Sequence, residues 1–372
     1  MFVILALLLA WPQAPAQNTL GVELSKEKRY AEAEAAFRSA IASDAKFTKA
    51  YLNLALLLLA SGRAGEAEQT ALEATRHNPS DPEPWTLVGT ARSYLGKPDA
   101  AEAFRRAVAL DPSSIDARLN LGLALIDGRI GEALAVFTDA VRMAPGSAAA
   151  HYNRGRVLID LSQLEEARQE LDTALRLRPG HAHTLLLLAL AEQRLGNPAR
   201  AITLIKQLQA IDPNDFKAWH LLGEALDAAG RPAEAIAAWK EALRLEPSHQ
   251  PSLYRLSRAL AETDPAQAAA YEREFIRLRD AETARESVVG LLRSAQQALR
   301  DGDPNLALRR VGQGLESCGQ CALRGELEWL RAEIAQGRQA TVPDTKEKDA
   351  VSNSARPHAG SGNSCVPFLP QR

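Results

Sequence analysis

The chain has 372 residues, 46% of them apolar and only 5% aromatic, which allows a packed core but is poor in the side chains that favour sheets. Its 44 basic residues balance 46 acidic ones, and no basic stretch is interleaved with aromatics. That balance excludes the electrostatic footprint of a nucleic-acid binder.

The N-terminus has the pattern of an export signal. Phe2 to Trp11 is one apolar run, and Ala14-Pro15-Ala16 is a small-x-small sequence before Gln17. The run is too short to cross a hydrocarbon core of ~30 Å as a helix. No Lys or Arg precedes it, so a weak, uncleaved anchor is the alternative, and no cysteine follows it to carry a lipid. Residues 1–16 are therefore expected to be a signal peptide cleaved at about Ala16. The mature protein is then extracytoplasmic, periplasmic or secreted, and meets a membrane only if the segment stays uncleaved.

Beyond this segment the chain is periodic. Pro79, Pro112, Pro145, Pro179, Pro213 and Pro247 lie 33 or 34 residues apart. Ala33, Ala67, Ala100, Ala133, Ala167, Ala201, Ala235 and Ala268 keep the same spacing, as do the small residues Gly21, Ala55, Gly89, Gly122, Gly155, Ala189, Gly223 and Ser257. Three columns with one period imply stacked supersecondary units. In the clearest unit, Trp219, Leu222, Ala225 and Leu226 have the three-and-four spacing of one helical face, and Gly230-Arg231-Pro232 breaks that helix. Ala235, Ile236, Trp239, Ala242 and Leu243 resume the spacing, and Glu246-Pro247 ends it. Each unit is thus expected to be two antiparallel helices, with Gly223 and Ala235 letting the backbones approach and Trp219, Leu222 and Trp239 filling the space around them.

Trp219, Leu222, Gly223, Ala235, Trp239, Ala242 and Pro247 form a pattern that resembles the tetratricopeptide repeat, and Trp85, Val88, Gly89, Ala100, Phe104, Ala107 and Pro112 repeat it one residue shorter. The resemblance implies an all-α, right-handed solenoid of antiparallel helix pairs, with about eight units over residues 17–279. The eighth unit keeps Leu253, Leu256 and Ala268 but lacks a closing proline. Residues 280–336 are expected to add a degenerate helix pair, Glu282 to Arg300 and Asn305 to Leu315, and a capping helix from Ala322 to Gln336. Residues 337–372 carry Pro, Ser, Gly and charge without period, the composition of a disordered tail.

One spacing could carry reactivity. Cys318 and Cys321 form a CxxC sequence between two expected helices, consistent with a short structural disulfide, a redox pair or half of a metal knuckle. No strand pattern surrounds it, Ala322 stands where haem attachment needs histidine, and Cys365 is the one further thiol. His181 and His183 are two apart, which points them to different helical faces, and His151 fills an aromatic packing slot. No nucleophile motif or phosphate loop occurs, so neither an enzyme nor a cofactor is expected.

In the tetratricopeptide family the first helices of successive pairs line a concave face that binds extended peptides or partner helices. The resemblance places Leu52, Leu56 and Leu59 there from the second unit, and Leu119, Leu123 and Ile126 from the fourth. Tyr152 comes from the fifth unit, and Leu186 and Leu190 from the sixth. The lining then turns polar, with His220, Glu224 and Asp227 followed by Tyr254, Arg255 and Arg258. Asn53, Asn120 and Asn153 share one slot that can bond a ligand backbone. The Lys and Arg clamp used by some members for a terminal carboxylate is missing, since Leu119, Leu123, His183 and Leu187 stand in its positions. The expected function is a non-enzymatic envelope scaffold with a protein or peptide partner. The alternative is an envelope regulator with a redox- or metal-responsive C-terminal CxxC module.

Overall fold

The computed structural model describes residues 13–318, 321 and 323–336. The first twelve residues, most of the expected signal peptide, and the tail from 337, including Cys365, lie outside the described residues. Every described element is a helix. Within the described chain one compact unit runs to Pro179 and a second begins at Gly180.

The N-terminal unit contains five antiparallel pairs. They are α1 (Gln13–Lys26) with α2 (Tyr30–Ser43), α3 (Thr48–Ala60) with α4 (Ala64–His77), and α5 (Pro82–Tyr94) with α6 (Ala100–Leu110). The remaining pairs are α7 (Ile115–Leu125) with α8 (Ile130–Met143), and α9 (Ala148–Asp160) with α10 (Leu164–Leu177). The C-terminal unit pairs α11 (Ala182–Arg194) with α12 (Pro198–Ile211) and α13 (Phe216–Ala228) with α14 (Pro232–Leu245). It then pairs α15 (Gln250–Ala259) with α16 (Pro265–Arg300), and ends in α17 (Pro304–Cys318) and α18 (Arg324–Ala335).

Each pair is locked by a bulky side chain of the second helix lying on a small residue of the first. A Cβ added at Gly21, Gly89, Gly122, Gly155 or Gly223 would come closer than 3.0 Å to Phe37, Phe104, Phe137, Leu171 or Trp239, respectively. Where the first helix carries alanine instead, the second-helix residue is not aromatic: Ala71 stands sixteen residues after Ala55, and Ile205 sixteen after Ala189. The alanine column opens the second helices and is buried throughout. The cores are therefore built by size complementarity between neighbouring columns.

The proline column ends the second helices two residues early. Asn78, Asp111, Asp212 and Glu246 already leave the helical region before the proline ring, as the pre-proline clash requires. Two residues after the proline comes a helix cap. Asp81, Ser114, Ser147 and Asp215 accept backbone N–H bonds from the first turn of the next helix. The proline carbonyl is also used, accepting from Trp219 Nε1 at Pro213 (2.9 Å) and lying 3.0 Å from His151 Nε2 at Pro145. His151 also meets Glu170 through Nδ1 at 2.6 Å, so it is a bonded member of the fold.

A further column lies at the turn inside each of the first seven pairs. Lys28, Gly62, Gly96, Gly128, Ser162, Gly196 and Gly230 all have φ between 59° and 106°. At Ser162 the following amide, Gln163, closes a bond to Leu158 O at 2.9 Å, the six-to-one link of a Schellman ending. Lys28 and Ser162 adopt this conformation without being glycine.

Two expectations meet a different arrangement. The sequence Ala14-Pro15-Ala16 lies in the first turn of α1, and Ala14 is buried with Ala40 and Ala50. The boundary expected at residues 279/280 falls inside α16, which runs unbroken for 36 residues. With the closing proline lost and Gly290 the one glycine of that stretch, nothing stops the helix. Residues 281–287 are all exposed, and α16 then joins a separate core with Val288, Leu292 and Ala295 against Val311, Leu327 and Leu330. A polar helix exposed all round is the form that bridges two packed bodies.

Two stability outcomes follow from the pair lock and the turn column. Gly223→Ala should destabilise by about 1–3 kcal/mol through overpacking, and Trp239→Ile by about 2 kcal/mol through a void. Combined, they recreate the Ala189/Ile205 pairing and should cost at least about 1 kcal/mol less than their sum in urea unfolding. Ser162→Gly removes a left-handed cost of about 1–2 kcal/mol against an added unfolded-state entropy of about 0.5–1, so the net gain should be about 0.5–1 kcal/mol.

Candidate functional site

In the N-terminal unit the first helices bring together an apolar stripe. Leu52, Leu56 and Leu59 of α3 are half-buried, leaning on the core around Phe37 and Leu54. Leu119 and Leu123 of α7, with Ile126 just beyond it, are half-buried on the core around Phe104 and Phe137. These side chains contribute to the core and still present carbon surface to solvent. Tyr152 of α9 is half-buried.

The asparagines do not form one row of free amides. Asn53 Nδ2 donates to Asn18 Oδ1 of α1 at 2.8 Å. Asn153 is buried and donates to Ala149 O of its own helix at 2.9 Å. Asn120 alone of the three has no bonded partner among the described residues. It lies beside a cavity of about 590 Å³ between the ends of α5 and α7, lined also by Tyr94, Lys97, Leu123, Asp127 and Arg129. Beneath this edge, the buried Glu68 holds Arg92 at 2.9 Å and Lys97 at 2.6 Å. Burial opposes ionisation of Glu68, but the two cations outweigh it and hold its carboxyl below the usual range.

The C-terminal unit has a different surface. Leu186 and Leu190 of α11 are half-buried, as are His220 and Glu224 of α13, whereas Asp227, Tyr254, Arg255 and Arg258 are exposed. Glu224 ties three first helices together, accepting from Gln193 Nε2 at 3.1 Å and from Arg255 at 2.6 Å. Tyr254 stands 5.7 Å from the Phe275 ring of α16.

Beneath these groups, Ser252 Oγ lies 2.9 Å from His220 Nδ1 and 2.8 Å from His249 Nδ1, with the two rings edge-on at 4.7 Å. The hydroxyl has one proton and can donate to only one ring, so at least one ring presents Nδ1–H to the serine oxygen. Burial pushes His220 below its ordinary value, with Glu224 opposing and Arg255 reinforcing the shift. Burial, then the charge of His220, lowers His249 to about 4. Ser252 is fully buried, so this serine, histidine and glutamate cluster offers no nucleophile to a substrate. Ser252 and His249 escape periodicity arguments. For Gln193 a signal was present, in the polar residues that recur 31 apart on successive first helices at Gln193, Glu224 and Arg255.

At the far end, Cys318 and Cys321 are joined by a disulfide with Cα atoms 5.2 Å apart. Cys318 is buried in the core of the three-helix body, at the C-terminal end of α17. Among the described residues no group of three His, Cys, Asp or Glu side chains is placed to hold a metal ion, and no helix is long and apolar enough to cross a membrane.

The histidine pair has a pH signature. A depressed folded-state value means that stability is fully present above the unfolded value of about 6.5 and falls as pH drops from there toward about 4. His249→Asn places an amide at the same helix-start position and removes this titration. The urea midpoint should fall between pH 7 and 5 in the wild type, and fall less in the variant.

Comparisons with known proteins agree with this architecture. Family models described as tetratricopeptide repeat match residues 24–90 and, in overlapping stretches, residues 89–283. Cellulose synthase operon protein C of Xanthomonas axonopodis pv. citri (strain 306) is 31% identical over 219 residues, covering 54% of this chain and 14% of that protein. Human tetratricopeptide repeat protein 7B is 31% identical over 121 residues, covering 32% of this chain and 14% of its own length. The chain thus spans about a seventh of these curated relatives. The crystal structure of PilW, a type IV pilus biogenesis factor, superposes with a TM-score of 0.51 at 21% identity, covering 57% of this chain and 98% of PilW. With the repeat models matching residues 24–283, more than half of its length, the chain belongs to the tetratricopeptide repeat family.

Proposed function

We propose that this protein is a non-enzymatic scaffold of the bacterial cell envelope that captures an extended protein segment on the first-helix face of its N-terminal unit. The observation that carries this is the stripe of Leu52, Leu56, Leu119, Leu123 and Ile126. Each packs on the core yet keeps part of its surface in solvent, and apolar surface of that kind marks interaction sites. The segment is anchored by burying these leucines further, at about 25 cal/mol for each Å² removed from water. Asn120 supplies donor and acceptor groups for its backbone. The more polar face of the C-terminal unit, with Tyr254 and Arg258, adds selectivity for polar or charged stretches.

The envelope assignment rests on the apolar run Phe2 to Trp11 and the small residues that follow it. The similarity to a cellulose synthase operon protein is in keeping with an accessory of an envelope machine. Burial of Ala14 weighs on where processing occurs: cleavage after Ala16 would strip the first turn from α1.

A second reading is favoured by the Cys318–Cys321 bond in a small core of its own behind the exposed stretch of α16. In that reading the C-terminal body responds to thiol redox state and signals to a partner. A bond that resists millimolar reductant in the folded protein, together with zinc-free preparations, removes it.

Leu56→Asp and Leu123→Asp test the groove. Partners captured by the wild type from native envelope extracts should be lost from both variants, with helix content by circular dichroism unchanged. Undiminished capture of every partner would sink the groove model.

A further inference from the structure

Within the N-terminal unit the repeat period has two faults, and they are neighbours. From the small residue of the first helix to the alanine of the second, the interval is 12 residues at Gly21 to Ala33, Gly155 to Ala167 and Gly223 to Ala235. It is 11 at Gly89 to Ala100 and again at Gly122 to Ala133. The left-handed glycines locate each missing residue. Gly89 to Gly96 keeps the usual seven, so the third pair lost its residue after Gly96; Gly122 to Gly128 is six, so the fourth lost its residue at the end of α7. Accordingly α6 and α7 have 11 residues, where the other helices of this unit have 13 or 14. The fourth pair also closes its turn differently, with Arg129 N bonding Leu125 O in place of a six-to-one link.

The cavity of about 590 Å³ lies where these two shortened turns face each other. Its lining includes Gly96, Lys97 and Pro98 from one fault and Asp127, Gly128 and Arg129 from the other, over a floor that contains Phe104 and Leu123. The charges around it are already matched, apart from one. Lys97 and Arg92 are taken by Glu68 and Asp99, while Arg129 and Arg105 are shared with Glu132 and Glu102. Asp127 is exposed and has no partner among the described residues, and neither the Asn120 amide nor the Tyr94 hydroxyl is bonded.

We propose that this cavity receives a lysine or arginine side chain of the segment held on the N-terminal unit's first-helix face. The methylene stem lies along Leu123 and Phe104, and the cationic head reaches the unmatched Asp127. Tyr94, 57% exposed at the rim, offers a ring face to the same cation. This assignment rests on the groove reading above and adds to it the chemistry of one anchor residue.

The test uses the full chain. A phage-displayed library of random dodecapeptides is panned against the wild type, Asp127→Lys, Leu123→Asp, and a variant with one alanine inserted between Lys97 and Pro98. Wild-type selection should enrich peptides with Lys or Arg beside apolar residues. A synthetic copy of the leading peptide should lose about tenfold in affinity when its basic residue becomes norleucine, and about as much on Asp127→Lys. On Asp127→Lys the norleucine change should cost nothing further, and the insertion, which restores the ordinary interval, should mimic that loss. If the insertion disturbs folding by circular dichroism, Asp127→Lys decides, because that side chain is exposed. Peptides that need Leu123 but show no basic preference, or whose basic residue matters equally on Asp127→Lys, overturn the anchor and leave the groove standing. Peptides indifferent to Leu123 as well, or no enrichment at all, overturn both.

Discussion

The fold depends on one repeated contact, a large second-helix side chain seated where the first helix has no room for a Cβ. At Gly223 the Trp239 indole occupies the space a methyl group would need, and Phe37, Phe104, Phe137 and Leu171 do the same in their own pairs. Because a tetratricopeptide unit cannot bury its hydrophobic faces alone, this contact sets the spacing within a pair and so the position of every side chain the next pair packs upon. The first-helix stripe from Leu52 to Ile126 follows from it. Those leucines are held by the core at their base and cannot withdraw further from solvent.

The same constraint explains where the molecule departs from its own rule. Single-residue losses are tolerated only in turns, since a loss inside a helix would rotate the locking residue off its partner. The third and fourth pairs lost theirs at the turn between their helices and kept Phe104 on Gly89 and Phe137 on Gly122. The loss appears instead as shortened helices and a cavity at the edge. At the C-terminal end the departure is of another kind. Without a closing proline, α16 runs on as an exposed helix into a second core, where the disulfide sits.

Much of this was legible in the residues. The proline, alanine and glycine columns specify helix ends, pair contacts and core positions, because each encodes a local steric requirement independent of distant sequence. The turn column was half hidden, since Lys28 and Ser162 take a left-handed conformation that composition does not announce. The site was less legible. Asn53 and Asn153 share a register, yet one bonds Asn18 and the other its own helix, and register does not say which partner an amide takes. Likewise nothing in the spacing of His220, His249 and Ser252 reveals that one buried hydroxyl joins the two rings. The length of α16 was misjudged for a simpler reason: a change in packing partner along a helix needs no breaker residue.

The central claim is that a protein partner occupies the first-helix face of the N-terminal unit. The most direct measurement is site-specific photocrosslinking in living cells, with a photoreactive phenylalanine analogue at position 120 or 123 and, as the reference, at Arg142 on the exposed side of α8. The account predicts a discrete crosslinked partner from positions 120 and 123 and none from 142. Crosslinks confined to position 142, or identical adducts from all three positions, would contradict it.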